Sequence, residues 1–131
     1  MGKVYTVFLN GKRIATTLFE HGDPPMGVVL GALRLEGIES GYDFFRAYCV
    51  ANHIEHTDHA EDRIIITESK IHGLVVLNTD GKEIKGVGEQ ISGMDGDTFQ
   101  IDIFGIPYPF YEEEFPDHVS KYNELFKDKS P

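Results

Sequence analysis

Apolar and polar positions alternate from Lys3 to Leu9, with Val4, Thr6 and Phe8 on one side and Tyr5, Val7 and Leu9 on the other, the two-residue period of a β-strand. Asn10-Gly11 offers the positive-φ positions of a type I′ turn, and the strand pattern resumes from Arg13 to Phe19, so the chain is expected to open with a hairpin. Glu20 to Pro25 is expected to be irregular, because the consecutive Pro24 and Pro25 cannot join a ladder. Met26 to Leu35 fits either a short helical turn or a buried strand: Asp23 or Pro24 suits a helix start, while Gly27 and Gly31 would each cost about 1 kcal/mol inside one. Ser40 and Asp43 stand at capping-box spacing and predict a helix. Its apolar face would carry Tyr42, Phe45, Cys49 and Asn52, flanked by Phe44, Tyr48 and Ala51. Beyond Asn52 the chain is too polar to keep packing until the Ile-rich strand expected from Arg63 to Thr67.

Two further strand pairs are expected in the second half. Gly73 to Leu77 and Glu83 to Val87 flank Asn78-Thr79-Asp80-Gly81, and Glu89 to Ser92 and Thr98 to Phe104 flank Gly93-Met94-Asp95-Gly96-Asp97. From Gly105 to Val119, Pro107, Pro109 and Pro116 each fix φ and remove a donor, so Gly105 to Pro109 reads as an extended or turning connector. A last helix is expected from Pro116, burying Val119, Tyr122, Leu125 and Phe126. Together these elements predict an α+β fold: a single domain over residues 1–131, with one antiparallel sheet of about five to seven strands and two main helices on one face.

Composition narrows the function classes. No apolar run approaches the roughly 20 residues a spanning helix needs, so no membrane partner is expected. The opening residues alternate as a strand does and lack the features of a secretion signal, which points to a cytoplasmic chain. Cys49 has no second cysteine to pair with. The formal net charge is −10, from 22 acids against 12 Lys and Arg. In the first 35 residues Lys3, Lys12, Arg13 and Arg34 outnumber Glu20 and Asp23, so the acidic excess lies beyond them. Gly86 to Ser120 contains no Lys or Arg at all. Such a chain repels nucleic acid and favours a basic protein partner.

Candidate chemistry is sparse. Cys49-x3-His53-x2-His56-x2-His59 has residue types that zinc takes, but His21, His72 and His118 provide no paired second half. No Gly-x-Ser-x-Gly, phosphate-cradling glycine run or EF-hand loop occurs; Asp95-Gly96-Asp97 reads as a hairpin turn. No enzymatic activity and no cofactor are therefore expected.

Two stretches carry a resemblance. Asp23-Pro24-Pro25-Met26-Gly27-Val28, and Gly105-Ile106-Pro107-Tyr108-Pro109 followed by Tyr111, Glu114, Phe115, Pro116, His118, Val119 and Tyr122, resemble segments of small uncharacterised bacterial proteins. That resemblance implies no activity. From charge, the favoured function is an acidic inhibitor of the immunity-protein or antitoxin type that covers the basic site of a toxin or nuclease. The expected contact residues are Glu112, Glu113, Glu114, Asp117, Asp95, Asp97 and Tyr111. The alternative is a metal-binding protein or small metal-dependent enzyme using His53, His56 and His59, with Cys49 or His118. A third reading is a small-ligand domain using Tyr108, Phe110 and Tyr111.

Overall fold

Asn10 and Gly11 turn the chain with φ of 52° and 79°, joining β1 (Tyr5–Leu9) to β2 (Lys12–Thr17) in the expected hairpin. The computed structural model describes residues 3–68 and 70–127. A register shift after Val7 lets both Ile14 and Ala15 face the core. Met26 to Leu35, ambiguous in sequence, is mostly strand: a single 3₁₀ turn at Pro24–Met26 is followed by β4 (Val28–Leu35). Gly27, at φ 64°, closes that turn with its N–H on the Pro24 carbonyl. The irregular stretch expected from Glu20 to Pro25 is shorter than its prolines suggested, because β3 (His21–Asp23) ends just before them.

Ser40 caps α1 (Gly41–Ala51), its hydroxyl accepting from the Asp43 amide at 3.0 Å. The Asp43 carboxylate, however, takes Arg63 at 2.8 Å. The remaining elements are β5 (His56–His59), β6 (Ile64–Thr67), β7 (Leu74–Leu77), β8 (Gly88–Met94), β9 (Phe99–Phe104), α2 (Phe110–Glu114) and α3 (Pro116–Lys127). Every strand pairing is antiparallel, and the order is β5-β6-β8-β9-β4-β2-β1-β7 with β3 beside β4.

The α+β class holds, with nine strands among the described residues in place of about five to seven. The additional strands are β3 and β5, His-Gly-Asp and His-Thr-Asp-His, which carry no apolar alternation and are held by ladder bonds to apolar neighbours. Glu83 to Val87, expected as a strand, contributes only a bridge from Glu83 to Leu77.

α1 packs on one face of the sheet at β6 and β8, and α3 lies against β3 and the turn before β4. On that face Val7, Val29, Ile65, Ile91 and Ile101 are wholly buried. Tyr42, Phe45 and Cys49 of α1 pack over it at one end, with Phe45 against Phe99. Tyr111 of α2 and Phe115 after it pack at the other, where Phe115 meets Tyr5 and Phe19. α3 is less buried than its apolar spacing predicts: Leu125 is 67% exposed. No helix among the described residues is long and apolar enough to cross a membrane.

Candidate interaction surface

The connector Gly105 to Pro109 is where three loops meet. Gly105 adopts φ 67°, and the Val87 side chain packs where a Cβ on it would stand. The Val87 amide bonds the Phe104 carbonyl at 2.8 Å. One residue on, the Ile106 amide donates to the Gly27 carbonyl at 2.9 Å. The hydroxyl of Tyr108 donates to the Pro24 carbonyl at 2.9 Å, and that of Tyr111 to the Val28 carbonyl at 2.8 Å. Tyr108 precedes a cis peptide to Pro109 and stacks on Tyr111, ring centroids 5.4 Å apart.

This knot holds apolar side chains out in water. Eight large apolar residues are exposed among the described residues, and Met26, Val87 and Tyr108, at 66%, 78% and 50%, all sit on its three loops. Val87 is held by its amide on Phe104, Met26 lies inside the turn closed by Gly27 on Pro24, and Tyr108 is tied by its hydroxyl to Pro24, so the loops that carry the three are prearranged. Asp23, Glu112, Glu113 and Asp117 are exposed, and Glu112 and Asp23 lie near enough to act on Tyr108 and Tyr111. Their field reaches the phenols: burial raises the Tyr108 pKa and Glu112 adds to that, while burial, Tyr108 and then Asp23 raise that of Tyr111.

The contact residues expected from sequence divide into three groups. Glu112, Glu113 and Asp117 are exposed, and Glu112 stands near Tyr108. Glu114 and Tyr111 are not available: Tyr111 is fully buried, and Glu114 is 8% exposed with both carboxylate oxygens engaged. Tyr5 Oη donates to Glu114 Oε2 at 2.9 Å and Asn78 Nδ2 to Oε1 at 2.8 Å, while Lys3 Nζ reaches the Glu114 carbonyl at 2.8 Å. Helical geometry explains the split: Glu114 lies three residues after the buried Tyr111 on the same face of α2, while Glu112 and Glu113 point away from it. Burial, then Glu114 itself, drive the Tyr5 phenol pKa up.

Asp95 and Asp97 lie at the far end of the sheet, separated from the connector by the length of β9, about 20 Å. Asp95 is a structural tie there. Its Oδ2 accepts from Ser40 Oγ at 2.6 Å and Arg63 Nε at 2.8 Å, and its Oδ1 from the Tyr42 amide at 2.9 Å. Burial pushes the Asp95 carboxyl up, but Ser40, Tyr42 and Arg63 outweigh it and hold the pKa below the ordinary range. Asp97 is exposed and caps its own turn through Thr98.

The histidine cluster is not assembled. α1 stops at Ala51, His53 turns the chain at φ 55°, and β5 then sends half-buried His56 and exposed His59 to opposite sides. His56 instead faces Asp58 at 3.2 Å, with Arg46 at 3.6 Å and the Tyr42 hydroxyl at 3.2 Å on the same carboxylate. Cys49 is buried, and burial raises its thiol pKa. Among the described residues no group of three or more His, Cys, Asp or Glu is placed to hold a metal ion. Of the aromatics in the small-ligand reading, Tyr111 is enclosed by Tyr108 and Phe115, while Tyr108 is 50% exposed.

Met26 and Val87 were not singled out in sequence. Both are lone apolar residues in loops, bounded by Pro25 and Gly27 and by Gly86 and Gly88, outside any periodic run, and that isolation is the signal that marks them. No family model, curated protein or solved structure matches the chain.

Proposed function

We propose that this chain is a protein-binding module for a basic partner, acting as an inhibitor of the immunity-protein or antitoxin type. The observation that carries this reading is the exposure of Met26, Val87 and Tyr108 on three loops tied together by hydrogen bonds, with the exposed acids Asp23 and Glu112 acting on the tyrosines there. Interfaces favour a desolvated centre of aromatic and Met side chains inside a polar rim. A net charge of −10 adds long-range attraction for a cationic surface. Such a protein masks a substrate site by presenting its own carboxylates where a nuclease or toxin binds anions.

The test is affinity capture from cells of the source organism, followed by association kinetics on the recovered protein at low and high salt. A basic partner is expected. The combined Glu112→Gln, Glu113→Gln and Asp117→Asn variant should slow association by about tenfold at low salt and flatten its salt dependence. Tyr108→Ala should accelerate dissociation. Capture of no basic protein, or a partner whose on-rate and salt slope ignore the triple substitution, overturns the proposal.

A further inference from the structure

β7 is an end strand of the sheet, and the first residues of β8 pair only with β9, because β6 meets β8 only from Ser92 onward. Between the free side of β7 and the start of β8 lies a cleft of about 200 Å³, crossed by the Ile84 to Gly86 segment. The Ile84 amide bonds the Val76 carbonyl at 2.8 Å and the Asn78 amide the Lys82 carbonyl at 2.9 Å, which tie this segment to β7. Concave sites with an apolar lining and a few placed polar groups are where small ligands bind.

The lining combines three chemistries. Ile71, Leu74, Ile84 and Ile103 provide apolar wall, with Ile71 and Ile84 buried. Glu89 stands half-buried on the core-facing side of β8, where its Oε1 accepts from the Ile71 amide at 2.9 Å. Lys70 and Lys85 are exposed at the rim. Among the described residues none of Glu89, Lys70 and Lys85 has an ion-pair partner, although all three line one cleft. A half-buried carboxylate with a single hydrogen bond favours an ammonium beside it, and two unpaired ammonium groups favour a carboxylate. Glu83 and His72 complete the polar wall.

We infer that this cleft binds a zwitterionic α-amino acid with an aliphatic side chain, its ammonium on Glu89, its carboxylate between Lys70 and Lys85, and its side chain on the isoleucine wall. The volume suits a small ligand: about 200 Å³ falls below the roughly 300–1,000 Å³ of pockets for drug-sized molecules and is sufficient for one amino acid. The lining carries both signs, Lys70 and Lys85 against Glu83 and Glu89, which suits a ligand bearing both charges better than a lone cation or a lone anion. The site shares no lining residue with the connector patch and does not depend on the protein-binding reading.

The experiment is a titration of the isotope-labelled full chain with leucine, followed by amide chemical shifts and melting temperature. N-acetyl-leucine, which lacks the ammonium, leucinamide, which lacks the carboxylate, and inorganic phosphate serve as comparisons. Leucine should shift amides of residues 70–76 and 83–89 and raise the melting temperature, and the three comparison compounds should do neither. Glu89→Gln keeps an oxygen for the Ile71 amide and should weaken leucine binding at least about tenfold, the equivalent of one charge-assisted hydrogen bond. Lys85→Gln, at an exposed position, should weaken it without altering the unliganded protein. No response to leucine, equal responses to leucine and N-acetyl-leucine, or a response to phosphate alone overturns the inference; so does leucine binding that survives both substitutions.

Discussion

Glu114 joins segments far apart in the chain, and its removal gives the most decisive test of how the C-terminal part is attached. Its carboxylate receives Tyr5 from β1 and Asn78 from the turn after β7, and both donors are buried. Asn78 is itself committed, since its Oδ1 accepts from the Asp80 and Lys82 amides at 2.9 Å each. Glu114→Ala would leave the Tyr5 hydroxyl and the Asn78 amide without an acceptor, each at a cost of about 1–3 kcal/mol, so a loss of about 3–5 kcal/mol is expected. Lys3 adds little to this figure, because its side chain is 47% exposed and its 3.5 Å ion pair is screened. Glu114→Gln behaves differently: its oxygen accepts from Asn78 and its NH₂ meets Tyr5, whose hydroxyl rotates to accept, for a cost of about 1–2 kcal/mol. Urea unfolding at neutral pH measures both, and each kcal/mol should lower the melting temperature by about 4 °C in a chain of this size. A Tyr5→Phe and Glu114→Gln cycle should show coupling, since the second change matters less once the hydroxyl is gone. If Glu114→Ala cost no more than the roughly 0.5 kcal/mol of an ordinary surface change, the buried network would not be holding α2 to the sheet.

Three further outcomes follow from the same geometry. Burial pushes the His118 pKa down, aided by Lys121 and His21 against the opposing bond to the Phe19 carbonyl and Asp117. The folded form therefore prefers neutral imidazole: this stability is complete above the ordinary His value of about 6.5 and declines as pH falls toward the lowered folded value. His118→Gln, which retains a donor for Phe19, should lose less stability than wild type between neutral and mildly acidic pH, and parallel pH curves would refute this. Gly27 and Gly37 share a left-handed φ, 64° and 68°, but a Cβ on Gly27 would stand 2.7 Å from the Ile106 carbonyl oxygen while one on Gly37 meets nothing within 4 Å. Gly37→Ala should cost about 1–2 kcal/mol in chemical unfolding and Gly27→Ala clearly more, so equal losses would argue against the close approach of the two loops. Arg63→Ala should release the Asp95 carboxyl toward its ordinary range; the stability deficit, full at neutral pH, should narrow as acid protonates Asp95 in wild type, and a pH-independent deficit would remove the electrostatic account.

Local chemistry was legible in the sequence wherever a short-range rule decided the outcome. Asn10-Gly11 announced its turn because few other pairs tolerate two positive φ values, and Ser40 announced α1 because an N-cap oxygen answers an otherwise unpaired amide. β3 and β5 were hidden because their pairing is decided by partners: His21 to Asp23 lies against Val28 to Leu30, and His56 to His59 against Ile64 to Thr67. An alternating pattern reports a strand with one wet face and one dry face. It says little about a polar edge strand, whose hydrogen bonds belong to its neighbour's sequence.

The acids show the same limit at the level of the site. Sequence placed Glu112, Glu113, Glu114, Asp95 and Asp97 in one class because formal charge does not distinguish a solvated carboxylate from one filled by donors. The structure assigns three different roles: Glu112 and Glu113 face water, Glu114 accepts two buried donors, and Asp95 ties α1 to the loop at Arg63. A substitution of the whole Glu112 to Glu114 run would therefore combine loss of charge with loss of the Tyr5 and Asn78 bonds, and weakened binding could not be separated from a loosened α2. Replacing Glu112, Glu113 and Asp117 instead keeps the buried acceptor in place and changes only the exposed field. If unfolding shows that variant to be as stable as wild type while Glu114→Ala is not, the exposed charge and the buried acceptor act separately, and any change in association rate belongs to the surface.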